Sequence, residues 1–205
     1  MPDSPKQALH PTKERLLETA VRLISETNGE VHVDQLLTES GISTGSLYHH
    51  FQDFDDLLEM AYARRFAFFV DIGVSQLTDV AVNSTTREDV LEGLKGVTRT
   101  TQGPTLDWIR FERSRILAMA EGNERFRAAI KLEQQRLTDA LTDLIREAQE
   151  RGWYSKDFDP RAAAVLIQAY TLGQVVDDIV DDRMDPDAWT SLIDRLIEKV
   201  FAAPE

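Results

Sequence analysis

Apolar residues recur at helical spacing along nearly the whole chain, and the strict alternation of a half-buried strand is found nowhere. Leu16, Leu17, Ala20, Val21, Leu23 and Ile24 form one stripe from Thr12 to about Asn28, opposite Lys13, Glu14, Arg15, Glu18 and Arg22. Asn28-Gly29 closes this helix, and a short second one follows from Val33 to Ser40 with Leu36 and Leu37 inward. A third runs from Thr44 to about His50, and a long fourth, capped by Asp53 or Asp55, from Phe54 to about Val80. The polar stretch Asn83-Ser84-Thr85-Thr86 interrupts the pattern before a fifth helix, Arg87 to about Thr100, and Gly103-Pro104 breaks it again. Four more are expected: Thr105 to about Ala120, Glu124 to about Arg151, Pro160 to about Asp182, and Pro186 to about Ala202. Asp159-Pro160 and Asp185-Pro186 carry the signature of an N-cap aspartate followed by proline in the first turn. The expected fold is all-α, with nine helices in two domains, residues 1–53 and 54–205.

The 205 residues, 42% of them hydrophobic, suffice for real cores. No apolar run approaches the roughly 20 residues of a membrane span, and Met1-Pro2-Asp3-Ser4-Pro5 has no apolar signal segment, so a soluble, cytoplasmic protein is expected. With no cysteine there is no disulfide, thiolate metal site or thiol nucleophile. The chain carries no glycine-rich phosphate loop, no Gly-x-Ser-x-Gly elbow and no His-Glu-x-x-His, so no enzymatic activity, cofactor or metal is expected. The net charge of −13 excludes a general nucleic-acid coat, because counterion release demands many basic contacts. Residues 1–60 set four lysines and arginines against eleven acids, a net of −7.

Against that acidity, Gly41 to Phe51 contains no lysine, arginine, aspartate or glutamate. Gly41 suits the left-handed end of a helix, and Ser43, two residues on, suits the cap of the next. A turn this tight between two short helices is that of a DNA-reading helix-turn-helix. Keeping carboxylates off the second helix spares it repulsion from phosphate.

The segment from Lys13 to Met60 resembles the N-terminal domain of the tetracycline-repressor (TetR) family of transcriptional regulators. The matching residues are the Leu16-Leu17 to Ala20 stripe, Gly29, Leu36, Gly41-Ile42-Ser43, Gly45-Ser46-Leu47-Tyr48, His50-Phe51 and Leu57. The resemblance implies DNA contacts from Ser43, Thr44, Gly45, Ser46, Tyr48, His49 and His50, with Asp34 on the second helix also facing DNA. Leu47 and Phe51 are expected to anchor the third helix to the core. Three departures stand out: Phe54 occupies the place of a phosphate-binding lysine, Asp34 could accept from a cytosine amino group but would repel phosphate, and Leu37 replaces a smaller residue, which reads as packing. If His49 and His50 face phosphate, operator affinity should rise as pH falls from about 7.5 to about 6.

The family also implies a C-terminal ligand-binding and dimerisation domain. Candidate pocket residues are Phe66, Phe69, Trp108, Phe111, Phe126 and Tyr170, which favour an apolar or aromatic effector. Arg110, Arg113 and Arg115 read as surface partners for nearby glutamates, with neutralisation of an acidic ligand as the other reading. Asp177, Asp178, Asp181 and Asp182 read as a solvated helix end, with a cation site as the alternative. The last helix presents Leu192, Ile193, Leu196, Ile197, Val200 and Phe201, and the eighth Ala169, Leu172, Val176, Ile179 and Val180, as a homodimer interface. The expected function is a ligand-responsive regulator, a repressor released from double-stranded operator DNA by a small molecule. The alternative is a TetR-like protein with lost or weak DNA binding that acts through protein or ligand contacts.

Overall fold

In the computed structural model, which describes residues 10–201, every regular element is helical. The expected segments are all present, with their ends shifted by the local capping chemistry. α1 (Pro11–Glu26), α2 (Val33–Ser40), α3 (Thr44–His50) and α4 (Phe54–Asn83) are followed by α5 (Arg87–Thr101), a 3₁₀ turn (Pro104–Leu106), α6 (Asp107–Met119) and α7 (Glu124–Glu150). The eighth expected helix comes in two pieces, α8 (Pro160–Gly173) and α9 (Val175–Asp178), meeting at Gln174. α10 (Pro186–Leu196) winds into a π-helical turn, Ile197–Phe201; the end expected at Ala202 lies outside the described residues. Among the described residues no helix is long and apolar enough to cross a membrane.

The boundaries follow from side chains that satisfy free helix-end groups. Asp53 Oδ1 accepts from Asp56 N at 2.7 Å, which makes Asp53 the cap of α4. Thr86 and Asp89 form a reciprocal capping box at the start of α5. Asp159 accepts from Ala162 N at 2.7 Å and Asp185 from Asp187 N at 2.9 Å, each before a proline at the first helical position. Asn28 and Gly29, with φ of 54° and 93°, end the first helical segment in the left-handed region.

The chain divides into two compact units, residues 1–67 and 68–205. In the first, α1 packs on α2 and α3 around Leu16, Leu17, Leu23, Leu36, Leu47 and Leu57, all essentially inaccessible. Each such leucine contributes about 1.5–3 kcal/mol by leaving water. In the second, α7 packs on α8 and α10 on α5, around Leu94, Ile116, Phe126, Leu141, Ile145, Ile193 and Ile197. Lys95, on α5, is buried and reaches Glu198 Oε1 at 2.6 Å, tying the π-helical turn to the fifth helix.

Candidate DNA-binding surface and effector cavity

Gly41 stops α2 at φ 66°, where a Cβ would be strained, and its N–H donates to Leu37 O at 3.0 Å. Ser43 then caps α3, its Oγ accepting from Ser46 N at 3.3 Å. These two devices fix which side of α3 faces out. Leu47 and Phe51 point into the core, while Thr44, Gly45, Tyr48 and His49 are exposed and Ser46 and His50 half-buried. Asp34 is exposed in the first turn of α2. A Cβ added to Gly45 would meet nothing within 4 Å, so packing within the protein does not explain a glycine there. Close approach of a partner backbone would explain it.

The geometry also gathers cations that the sequence keeps apart. The His10 and His50 rings lie 4.7 Å apart, those of His49 and His50 5.0 Å, and the Lys13 ammonium stands 5.0 Å over the Phe51 ring. Partial burial, then the charges of His10, His49 and Lys13, push the His50 imidazole below its ordinary value. His10 and Lys13 went unnoticed in the sequence because some 30 residues separate them from the start of α3. Several acids of this unit are answered by arginine. Glu14 takes two hydrogen bonds from Arg64, at 2.6 and 2.9 Å, which hold its carboxyl below the usual range. Arg22 bridges Glu26 at 2.8 Å and Glu39 at 2.6 Å.

The second unit holds a partly open cavity of about 170 Å³. Its wall combines Phe69, Ile72, Gly73, Gln76 and Leu77 from α4, Leu94, Val97, Thr98, Thr100 and Thr101 from α5, and Leu106, Ile109, Arg110 and Arg113 from the 3₁₀ turn and α6. Leu137, Leu141, Ile167, Gln168, Tyr170, Thr171 and Ile197 complete it. Among the described residues the wall is mostly aliphatic, with threonines and two aromatic rings, and no carboxylate lines it. Arg110 is 2% exposed and gripped by Asp178: Nε donates to Oδ2 and Nη2 to Oδ1, both at 2.6 Å. Burial pushes the Arg113 guanidinium down, and its Nε is buried with no hydrogen-bond partner among the described residues.

The fold agrees with what the sequence matches. Residues 16–61 match the model of bacterial regulatory proteins of the tetR family, and residues 114–202 that of the C-terminal domain of BetI-type transcriptional repressors. The chain belongs to the TetR family. Solved structures share this fold over nearly all of the chain. Reduced NemR of E. coli is 16% identical with a TM-score of 0.67, covering 94% of this chain and 98% of its own. A Saccharomonospora viridis protein in complex with choline is 21% identical, TM-score 0.69, with 94% and 98% covered. The fatty acid degradation regulator FadR of Bacillus halodurans is 21% identical, TM-score 0.63, with 93% and 96% covered. At these identities the likeness establishes the fold alone. No curated protein matches the chain.

Within this TetR-family protein the sequence-predicted pocket residues separate. Phe69 and Tyr170 line the cavity, whereas Phe66, Trp108, Phe111 and Phe126 do not. Phe66 and Phe126 are fully buried in the cores, and Trp108 is half exposed with its ring edge-on to Phe69 at 6.3 Å. Two polar readings need correction. Arg110 and Arg113 are not surface partners of glutamates, because α6 turns both toward the cavity. Asp178 is not part of a solvated helix end: it is 6% exposed and serves Arg110 across 68 residues of sequence. Among the described residues no group of His, Asp or Glu is placed to hold a metal ion. On the expected interface, Ile193 and Ile197 face the protomer core, while Leu192, Ala169, Val176, Ile179 and Val180 are exposed, joined by Val165 and Leu166. The Val200 and Phe201 side chains lie outside the described set.

Proposed function

We propose that this TetR-family protein is a homodimeric repressor that leaves its operator when a small molecule enters the cavity of the second unit. The observation that carries the DNA half of this reading is the outward face of α3. It exposes Thr44, Gly45, Tyr48 and His49, carries no carboxylate, and stands on a buried Leu47 and Phe51. Hydroxyl and imidazole groups at this position can meet base edges or phosphates, and Lys13, over the Phe51 ring, adds a positive charge beside a helix that carries no lysine or arginine. The first residues of the helix enter the major groove, and a twofold dimer brings a second head to the next half-site. The exposed apolar residues of α8, α9, the turn after it and α10 are the proposed dimer surface, since large exposed apolar side chains recurring along these elements suit an interaction site.

Support for effector control comes from α4, whose 30 residues carry Leu57 of the DNA-binding unit and Phe69, Ile72, Gly73, Gln76 and Leu77 of the cavity wall. A ligand that prefers one position of this helix shifts the dimer toward the state with out-of-register heads, by its difference in affinity for the two states. The test is a titration of DNA from upstream of the protein's own gene at increasing salt. Tight binding that falls steeply with salt supports the repressor; no binding at low salt returns the reading to a protein that has lost DNA recognition.

A further inference from the structure

The charge balance of the cavity points to the chemistry of its ligand; this rests on the cavity being the effector site. Among the described residues two charged side chains line it, Arg110 and Arg113, and no acid does. Arg110 is fully answered by Asp178. Arg113, three residues further along α6, has a buried Nε without an acceptor, and no ion pair holds it among the described residues. Guanidinium stays protonated in proteins, and Arg113 is half-buried, so its charge is partly desolvated without a counterion, which is disfavoured. The wall thus carries one uncompensated positive charge inside a chain of net charge −13. A second buried atom of the wall without a partner, Gln76 Oε1, is an acceptor; it suits a donor elsewhere on the ligand and leaves the anion to Arg113.

We propose that the cavity binds a small amphipathic acid, its carboxylate paired with the Arg113 guanidinium and its chain among Phe69, Ile72, Leu141 and Ile167. A planar two-donor fork matches a carboxylate better than any neutral head group. A quaternary ammonium such as choline is selected against. Such cations are held by cages of aromatic faces, whereas this wall has two rings, no carboxylate, and a like charge at Arg113. The volume of about 170 Å³ limits the ligand, since a cavity of about 150 Å³ holds a benzene-sized guest. An acid of on the order of six to ten non-hydrogen atoms follows from that comparison.

Calorimetric titration of the full-length protein with hexanoate, 1-hexanol, hexyltrimethylammonium and choline tests this, using wild type, Arg113→Gln and Arg113→Lys. Hexanoate should bind tightest in wild type, by roughly tenfold or more over hexanol, the usual worth of a charge-assisted pair. Arg113→Gln should erase that margin while keeping hexanol binding, Arg113→Lys should keep part of it, and the ligand-free Arg113→Gln protein should melt no lower than wild type. A ranking led by either cation, or a hexanoate margin that survives in Arg113→Gln, overturns the anion while leaving the cavity as effector site. Loss of hexanol binding in a folded Arg113→Gln protein makes Arg113 a structural prop and equally overturns the proposal. Binding of none of the four probes to folded wild type overturns both readings.

Discussion

Replacing Asp178 with alanine would strand the Arg110 guanidinium, which is 2% exposed and held by two 2.6 Å hydrogen bonds from α6 to α9. Its remaining acceptor is Gly103 O, a long 3.4 Å from Nη1. Removing one partner of a buried ion pair costs about 3–5 kcal/mol, far more than the 0–1 kcal/mol of an exposed pair. The size comes from desolvation: the charge left behind cannot regain its water, so the loss exceeds the net worth of the intact pair. Replacing both residues by apolar ones of similar shape, Arg110→Met with Asp178→Leu, should therefore recover most of the loss. Urea unfolding followed by far-ultraviolet circular dichroism, at one fixed protomer concentration, reads the effect. With a slope of about 2–3 kcal/mol per molar urea, the Asp178→Ala midpoint should fall by roughly 1 to 2 M. A fall below about 0.3 M, or a double variant no better than Asp178→Ala, would refute the reasoning.

Asp89 accepts from the backbone N–H groups of Thr85 and Thr86 at 2.9 and 2.8 Å, which lowers its carboxyl to about 2. A depressed carboxyl stabilises the fold above its unfolded value near 4 and loses that contribution as pH falls toward 2, so the melting gap between wild type and Asp89→Ala should narrow below pH 4; a constant gap contradicts this. Gly45→Ala should raise the melting temperature slightly, since alanine is favoured over glycine within a helix by roughly 0.5–1 kcal/mol and the Cβ meets no atom, yet it should weaken operator binding. Unchanged affinity would show that no backbone approaches DNA there. Because burial and neighbouring cations lower His50, any gain in operator affinity that His50 drives should begin below the ordinary value near 6.5. His50→Gln should shrink it, and an undiminished gain would remove His50 from the interface.

The parts of the fold that read directly from the sequence are those decided within a few residues. Gly41, Ser43, Asp159-Pro160 and Asp185-Pro186 mark their helix ends because cap and capped amide are neighbours in the chain. The outward face of α3 follows from Leu47 and Phe51 four residues apart, since helical spacing puts both on one side. Helical spacing cannot say which neighbour receives a buried face, however. Phe69 and Phe66 are one turn apart on α4, yet only Phe69 reaches the cavity; Phe126 is as apolar as either and fills the core. The pairing of Arg110 with Asp178 joins residues 68 apart, and the approach of His10 and Lys13 to α3 joins distant ones likewise, so both are settled by tertiary packing alone. The break at Gln174 carried no glycine-proline signal beyond Gly173 and interrupts an otherwise continuous apolar pattern.

The central claim, that the outward face of α3 reads DNA, meets its most direct test in a comparison of wild type with Tyr48→Ala. Tyr48 is 52% exposed and makes no contribution to the core, so its removal should spare both melting temperature and oligomeric state. Fluorescence anisotropy with a duplex selected from random sequence by the wild-type protein measures the affinity of each. The account expects tight, salt-sensitive binding by wild type and a loss of roughly tenfold or more in Tyr48→Ala. Equal affinity in the two proteins, or failure of the wild type to select any duplex, would contradict it.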